Sequence, residues 1–306
     1  MAVLELEKLP TGYLSHSAIS KMRRCPEAYR RHYVALELEA MGSPAVLGMA
    51  IHEAIEWFLR ARMAGSKPDQ NGLFDRYTNH SVDATIARWE RGGGIEWKRG
   101  ENGTTIHDDG MRALAAWYDQ SAREHGTDAE LPPIGRNLEP ERVEDKFEVH
   151  FENYSWWFTG RLDLYTRQHV LADLKTTKRK TAENQAALSD QLTFEQMACE
   201  NHLEMDAAGQ MTLKPIPVAG LEVHQLVIGK KRVEVVVHRA APREQGEISA
   251  ALRDVAEVAR MIEARQFIRV RDYQTCSWCA YLPACDPAWD RVRALAKEAG
   301  EKEAAE

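Results

Sequence analysis

Two aspartates and a lysine carry the clearest chemistry in this sequence. Asp163 closes the run Gly160-Arg-Leu-Asp163, and Asp173-Leu174-Lys175 follows ten residues later. On a strand, alternate side chains share a face, so Asp173 and Lys175 point one way and Leu174 the other. Leu162 and Leu164 flank Asp163 on the buried side, which leaves its carboxylate for the cleft faced by Asp173 if the two strands form a hairpin. Two carboxylates there make a hard oxygen site for Mg²⁺ or Mn²⁺. An ammonium beside them neutralises phosphate and positions an attacking water, which together are the parts of phosphodiester hydrolysis. Taken alone, Asp-x-Lys is also the pattern of a salt bridge on an exposed strand. Glu144, on the preceding strand, is a weaker candidate for the same cleft.

The cysteines form a second constellation. Cys276-Ser-Trp-Cys279 and Cys285 place three thiols within ten positions, a metal-site pattern. Cys25, in Arg24-Cys25-Pro26, supplies a fourth ligand if the two ends of the chain meet over the core. Four thiolates hold either Zn²⁺ or a [4Fe-4S] cluster, and a reducing cytoplasm disfavours disulfides. Cys199 is left over and reads as an inert buried thiol. His52 stands on an apolar helical stretch, the usual setting of a core histidine. Gly48, one turn earlier on the same face, leaves room for a metal or a backbone. The string His52-Glu-Ala-Ile-Glu56 lacks the second histidine that a zinc-protease site requires.

The elements that must position these groups follow from periodicity. Residues 15–40 read as a helical entry with Ser15 or Ser17 as cap. A helix from Ala45 to about Met63 follows, with Pro44 at its start. Residues 76–125 look helical around a loop from Arg91 to Gly103, and Gly126 to Pro140, with Pro132-Pro133, reads as a joint. The period then changes to two. Strands are predicted over 143–151, 156–165 and 169–175, with turns near Asn153 and Arg167-Gln168. A helix over 188–202, strands over 222–228 and 233–239 meeting at Gly229-Lys230, and a long amphipathic helix over 245–265 complete an α/β order.

The chain has 306 residues, 44% of them hydrophobic, and a formal net charge of −7; its pI is about 5.9. That balance argues against a non-specific DNA coat relying on an overall positive field. Basic runs occur at Lys21-Met-Arg-Arg24, Arg30-Arg31, Lys175 to Lys180 and Lys230-Lys-Arg232, each of which taken singly is the pattern of a solvated face. Glu298, Glu301, Glu303 and Glu306 make the tail acidic. Residues 1–10 mix charges with apolar residues, and no stretch approaches the ~18 apolar residues of a membrane span. A cytoplasmic location with no membrane partner is the expectation.

Four motifs in order give the chain a resemblance to the PD-(D/E)XK nuclease superfamily, specifically its RecB and AddB branch and the CRISPR-associated iron–sulfur nucleases. They are Gly48-Met-Ala-Ile-His52, Gly160-Arg-Leu-Asp163, Asp173-Leu-Lys175 and Gln191 on the following helix. The resemblance implies a restriction-endonuclease-like α/β core, a central mixed sheet flanked by helices, preceded by an N-terminal helical region and followed by an iron–sulfur cap. The corresponding ranges are 1–140, 141–270 and 271–306. It implies that Asp163, Asp173 and His52 bind Mg²⁺ or Mn²⁺, joined by the Leu174 carbonyl. Lys175 would orient the water or stabilise the phosphorane, and Gln191 would hold the lysine or the DNA. Cys25, Cys276, Cys279 and Cys285 would carry a [4Fe-4S] cluster, with zinc as the alternative. The implied activity is a DNA exonuclease of recombination, repair or end processing. Its substrate would be single-stranded DNA or free ends, and a separate helicase or recombinase its partner, since the sequence holds no Gly-x4-Gly-Lys-[Ser/Thr]. A non-catalytic DNA-binding module and an endonuclease on the same fold are the alternatives. One departure stands out: the family's Gln-x-x-x-Tyr is Gln191-x-x-x-Glu195 here.

Overall fold

A computed structural model describes residues 12–98, 100–119, 135–150, 156–205, 210–277, 279–291 and 294. The expected turn at Asn153, the Pro132-Pro133 joint, the first ten residues and the acidic tail lie outside them.

The chain enters through β1 (Tyr13–Leu14) and α1 (His16–Arg24), where the Ser15 hydroxyl accepts a hydrogen bond from the Ala18 N–H at 3.2 Å. Cys25 is extended, and Pro26, with no N–H to donate, opens α2 (Pro26–Tyr29). A π-helical turn over Arg30–Val34 ends the segment. The single helix expected over 15–40 is therefore split at Cys25-Pro26 and stops early. Next come β2 (Met41–Gly42), α3 (Ser43–Met63), α4 (Gln70–Arg76), a π turn over Tyr77–Val82, α5 (Asp83–Arg91), β3 (Ile95–Glu96) and α6 (Gly103–Asp119).

The period-two region gives β4 (Pro140–His150), β5 (Trp157–Thr166) and β6 (Val170–Thr177). After them come α7 (Asp190–Glu200), a short hairpin of β7 (Leu203–Met205) and β8 (Met211–Leu213) that the sequence pattern did not suggest, then β9 (Gly220–Ile228) and β10 (Val233–Ala240). The chain continues into α8 (Gln245–Glu263), α9 (Tyr273–Ser277) and α10 (Leu282–Cys285). Glu244 and Glu247 form a capping box at the start of α8.

One mixed sheet organises these elements. β4 pairs antiparallel along the whole of β5, so the other edge of β5 is shared by β1, parallel at Trp157 and Phe158, and β6, antiparallel at Leu164 and Tyr165. β6 continues in parallel to β9, and β9 antiparallel to β10. Residues 159–163 of β5 thus lie between two different neighbours, and the sheet forks there.

Helices cover both faces. α3 and α6 pack Ile51, Phe58 and Trp117 against Val143, Leu164 and Leu226. α1, α7 and α8 pack Ile19, Phe194 and Val255 against Phe158, while Leu162 joins Leu192 and Val223 in a third cluster. Each such buried Leu, Ile or Phe contributes about 1.5–3 kcal/mol of apolar burial. Leu162 and Leu164 do not share one core, as strict alternation required, because they straddle the fork. Among the described residues no helix is long and apolar enough to cross a membrane.

Candidate metal and phosphate site

The fork decides where Asp163 goes. Leu164 opposes Ala172 and Tyr165 opposes Leu171, after which β5 and β6 part. Instead of a ladder bond at the next position, the Leu174 N–H donates to Asp163 Oδ2 at 3.1 Å. Asp163 is thereby fixed at the open end of the fork. On the other edge of β5, Val143 faces Leu164 and Asp145 faces Leu162, which brings Glu144 opposite Asp163. Glu144 adopts a left-handed backbone at φ 47°, an unusual and strained conformation for this residue type in a strand.

α3 brings the third group. Gly48 lies so near β6 that a Cβ there would sit 2.8 Å from Thr176 Oγ1. The space at Gly48 thus accommodates a strand side chain, and it lets His52, one turn on, reach the fork. His52 Nδ1 is 3.8 Å from Glu144 Oε1 and 3.9 Å from Asp163 Oδ2. Ligand atoms of His52, Glu144 and Asp163 all lie within 4.8 Å of one another. These three, with Asp173, Leu174 and His224, line one cleft. Gly160 serves the same strand pair, since a Cβ there would meet the Phe147 ring at 2.5 Å.

Asp173 lies deeper than the three-residue cluster. It is fully buried, its Oδ1 accepts from Lys175 Nζ at 2.7 Å, and its Oδ2 is a buried oxygen without a hydrogen-bond partner. Lys175 Nζ also donates to Gln191 Oε1 at 2.8 Å, and the Gln191 amide donates to Glu195 Oε1 at 3.0 Å. Glu195 and Gln191 of α7 therefore form, with Lys175 of β6, a relay that ends on Asp173. Glu195, at the family's tyrosine position, is buried, and its Oε2 is also unpartnered.

The charges are strongly coupled. Burial, with the neighbouring Asp173 and Glu144 carboxylates and against the pull of His52, raises the Asp163 carboxyl to about 7. Burial opposes charge on His52, but pairing with Glu144 and the Asp163 carboxylate outweighs it and holds the imidazole above its ordinary value. Burial raises Glu195 well above the carboxylate range, with Asp163 and Asp173 adding to it. An excess of acid around one cleft, with one buried carboxylate oxygen unpaired, is the donor set of a hard divalent cation. The residues present fit such an ion.

Sequence reasoning placed His52, Asp163, Asp173, Leu174, Lys175 and Gln191 in one site; the structure puts His52, Asp163, Asp173 and Leu174 along the cleft, with Lys175 and Gln191 joined to Asp173 by hydrogen bonds. The backbone N–H of Leu174 donates to Asp163. Glu144 was underweighted; its signal was a position across from Asp163 once the hairpin is drawn. Glu195 was noticed only as a departure. Sequence reasoning missed buried His224, which lies against Glu222 at 2.6 Å and carried no motif.

The cysteines form a separate pocket. Cys25, Cys276, Cys279 and Cys285 line one cavity with Arg269, Arg271 and Trp289. The C-terminal segment reaches the N-terminal helices through Tyr281, whose hydroxyl lies 3.0 Å from His32 Nδ1. Among the described residues, no three of these sulfurs come within 4.8 Å of one another. Burial, reinforced by the neighbouring thiols, holds Cys276 and Cys279 above the ordinary thiol value. Cys199 lies elsewhere, buried on α7, its thiol pushed to about 12 by burial.

A family model described as the PD-(D/E)XK nuclease superfamily matches residues 13–286. A search of curated proteins gave no match. Among solved structures, a protein of Eubacterium rectale provisionally assigned as an exonuclease is similar at 10% identity and a TM-score of 0.48, covering 85% of this chain and 84% of its own. The protein SSO0001 is similar at 11% identity and a TM-score of 0.31, covering 76% and 94% respectively.

Proposed function

Because the chain belongs to the PD-(D/E)XK nuclease superfamily, we propose that it is a divalent-metal-dependent deoxyribonuclease that hydrolyses phosphodiester bonds at DNA ends. The observation that carries this reading is the convergence of His52, Glu144 and Asp163 within 4.8 Å, beside a lysine held by Asp173 and Gln191. His52, Asp163, Glu144 and the free oxygen of Asp173 are the groups that would hold Mg²⁺ or Mn²⁺. Such an ion supplies charge stabilisation to phosphoryl oxygens and acidity to water.

The chain's own residues do the rest. Lys175 places an ammonium where charge develops on the phosphoryl oxygens, and its two acceptors fix its direction beforehand. Gln191 presents its carbonyl oxygen to Lys175 because its amide is engaged by Glu195. The Leu174 N–H keeps Asp163 turned into the cleft. Action at ends, on single strands, in recombination or repair and beside a separate helicase or recombinase, is supported by the RecB-type motifs Gly48-x-x-x-His52, Asp173-Leu-Lys175 and Gln191. The N-terminal helical region, the core and the cysteine segment keep the ranges 1–140, 141–270 and 271–306 in this proposal.

We further propose that Cys25, Cys276, Cys279 and Cys285 carry a [4Fe-4S] cluster. The four thiols line one cavity, and their split placement, one before the His52 helix and three near the C-terminal end, favours the cluster over the zinc alternative. The cluster's role would be to clasp the two ends of the chain.

The test uses linear DNA labelled separately at its 5′ and 3′ ends and closed circles, with Mg²⁺ or Mn²⁺ and with chelator. The expected result is metal-dependent release of short products from one end with circles intact. Cut circles would make it an endonuclease, and binding without degradation would make it a DNA-binding module.

A further inference from the structure

Two basic runs far apart in sequence meet at one end of the sheet. β6 and β9 run parallel with Thr177 beside Val227. The residues leaving β6, Lys178-Arg179-Lys180, and the turn leaving β9, Gly229 to Arg232, therefore emerge together from adjacent strands. Such strands lie about 4.8 Å apart. Lys178, Arg179, Lys180, Lys230, Lys231 and Arg232 are all exposed. Nearby acids neutralise two of them: Asp109 and Glu101 face Lys178, and Glu234 lies 3.6 Å from Lys180. Arg179, Lys230, Lys231 and Arg232 make no ion pair among the described residues.

Both segments are held in place. Fully buried Gln225 donates to Thr177 Oγ1 at 2.9 Å and to the Arg179 carbonyl at 3.3 Å, and accepts from the Thr181 N–H at 3.2 Å. Arg112 of α6 donates to the Gly229 carbonyl at 3.0 Å, and the Gly229 N–H donates to the Arg232 carbonyl at 3.0 Å. A solvated face needs no such scaffold. A fixed row of unpaired cations on a chain of net charge −7 is a local feature against an unfavourable overall field.

We propose that Arg179, Lys230, Lys231 and Arg232 form a track for the phosphate backbone of a DNA strand whose scissile phosphate lies at Lys175. Lys178 directly follows β6, three residues beyond Lys175, which is at most about 10 Å at 3.3 Å per extended residue. That distance is about three nucleotides at the 3.4 Å rise of one strand of duplex. The track rests on the nuclease reading only for its starting point; its anion chemistry stands apart from turnover.

The test compares wild type with Lys231→Glu, the double variant Lys230→Glu/Lys231→Glu, Arg179→Gln, and Lys67→Glu as an exposed lysine elsewhere. Binding of a long fluorescent single-stranded oligonucleotide is titrated against salt without divalent metal, and cleavage of that oligonucleotide and of a dinucleotide is measured with Mn²⁺. The double variant should lower the slope of log affinity against log salt by about 1.4, at about 0.7 per single-strand phosphate. Its KM for the oligonucleotide should rise with kcat and dinucleotide cleavage unchanged. Arg179→Gln should follow in part and Lys67→Glu should not. An unchanged salt slope in both the double variant and Arg179→Gln, or an equal effect of Lys67→Glu, overturns the track, as does loss of dinucleotide cleavage in a double variant that melts like wild type. Tight, salt-sensitive binding without cleavage of any substrate would leave the track standing and remove the nuclease reading.

Discussion

Asp163 Oδ2 accepts the Leu174 N–H at 3.1 Å, at the first position where β5 and β6 no longer pair. A side chain thus takes the hydrogen bond that a strand partner would otherwise have made. The carboxylate is fixed and the cleft is opened by the same break in the ladder.

Asp163→Asn should abolish Mn²⁺ binding and cleavage without lowering the melting temperature. The wild-type carboxyl is buried among Asp173 and Glu144, and an amide removes that repulsion while still accepting the Leu174 N–H. Thermal melting and Mn²⁺ calorimetry on the metal-free protein check both halves. A large loss of stability would mean that Asp163 is chiefly structural.

Metal affinity should depend on pH. With the Asp163 carboxyl raised to about 7, an incoming cation must displace a proton below that pH, so Mn²⁺ affinity should rise about tenfold per unit up to about 7 and level off above it. The sign for stability is the reverse. A carboxyl whose folded pKa is raised stabilises the metal-free fold fully below the ordinary aspartate value, and that contribution is lost as pH rises through about 7. Asp163→Asn should therefore gain on wild type as pH rises across this window. Calorimetry in two buffers of different ionisation enthalpy counts the released proton; a pH-independent affinity contradicts the assignment.

Lys175→Ala should lower kcat by about 10²–10³, the usual cost of removing a preorganised stabiliser of developing charge. Glu195 acts through Gln191, so Glu195→Ala should lower kcat by about 10–100-fold. Glu195→Gln, which keeps an acceptor, should retain most of the rate. If both variants lose equal activity, the acceptor oxygen is not what Glu195 provides.

Gly48→Ala should cost about 1–3 kcal/mol of stability, the range for overpacking, because the new methyl meets Thr176 Oγ1 at 2.8 Å. The double variant with Thr176→Ala should recover it, as chemical denaturation would show. Failure of the rescue would place the constraint in the backbone of β6.

Cys276→Ser should reduce the yield of soluble protein and remove a broad visible absorption, whereas Asp173→Ala should keep both and lose cleavage. Cys199→Ser, at the buried thiol on α7, should leave the spectrum unchanged. A fully active, folded Cys276→Ser protein without iron would defeat the idea of a clasp.

The strands and the long helices were legible because their apolar residues repeat at two or near 3.6 positions, and Asp173 and Lys175 could be placed on one face from alternation alone. The fork was not legible. Alternation assumes an unbroken ladder, so it put Leu162 and Leu164 in one core, whereas the parting of β5 from β6 separates them. Glu144 gains its place from a left-handed backbone that no local pattern announces. The break at Cys25-Pro26 was written in the proline, but the apolar repeat across it suggested one helix.

On this reading His52, Glu144 and Asp163 together hold the divalent cation of the reaction. Anomalous diffraction at the manganese edge, from crystals soaked in Mn²⁺, locates that cation. One dominant peak is expected in the fork, bonded to Asp163, His52 and Glu144, and absent in Asp163→Asn crystals. A dominant peak bound elsewhere, or no peak in a protein that cleaves DNA, would remove these three residues as the metal site.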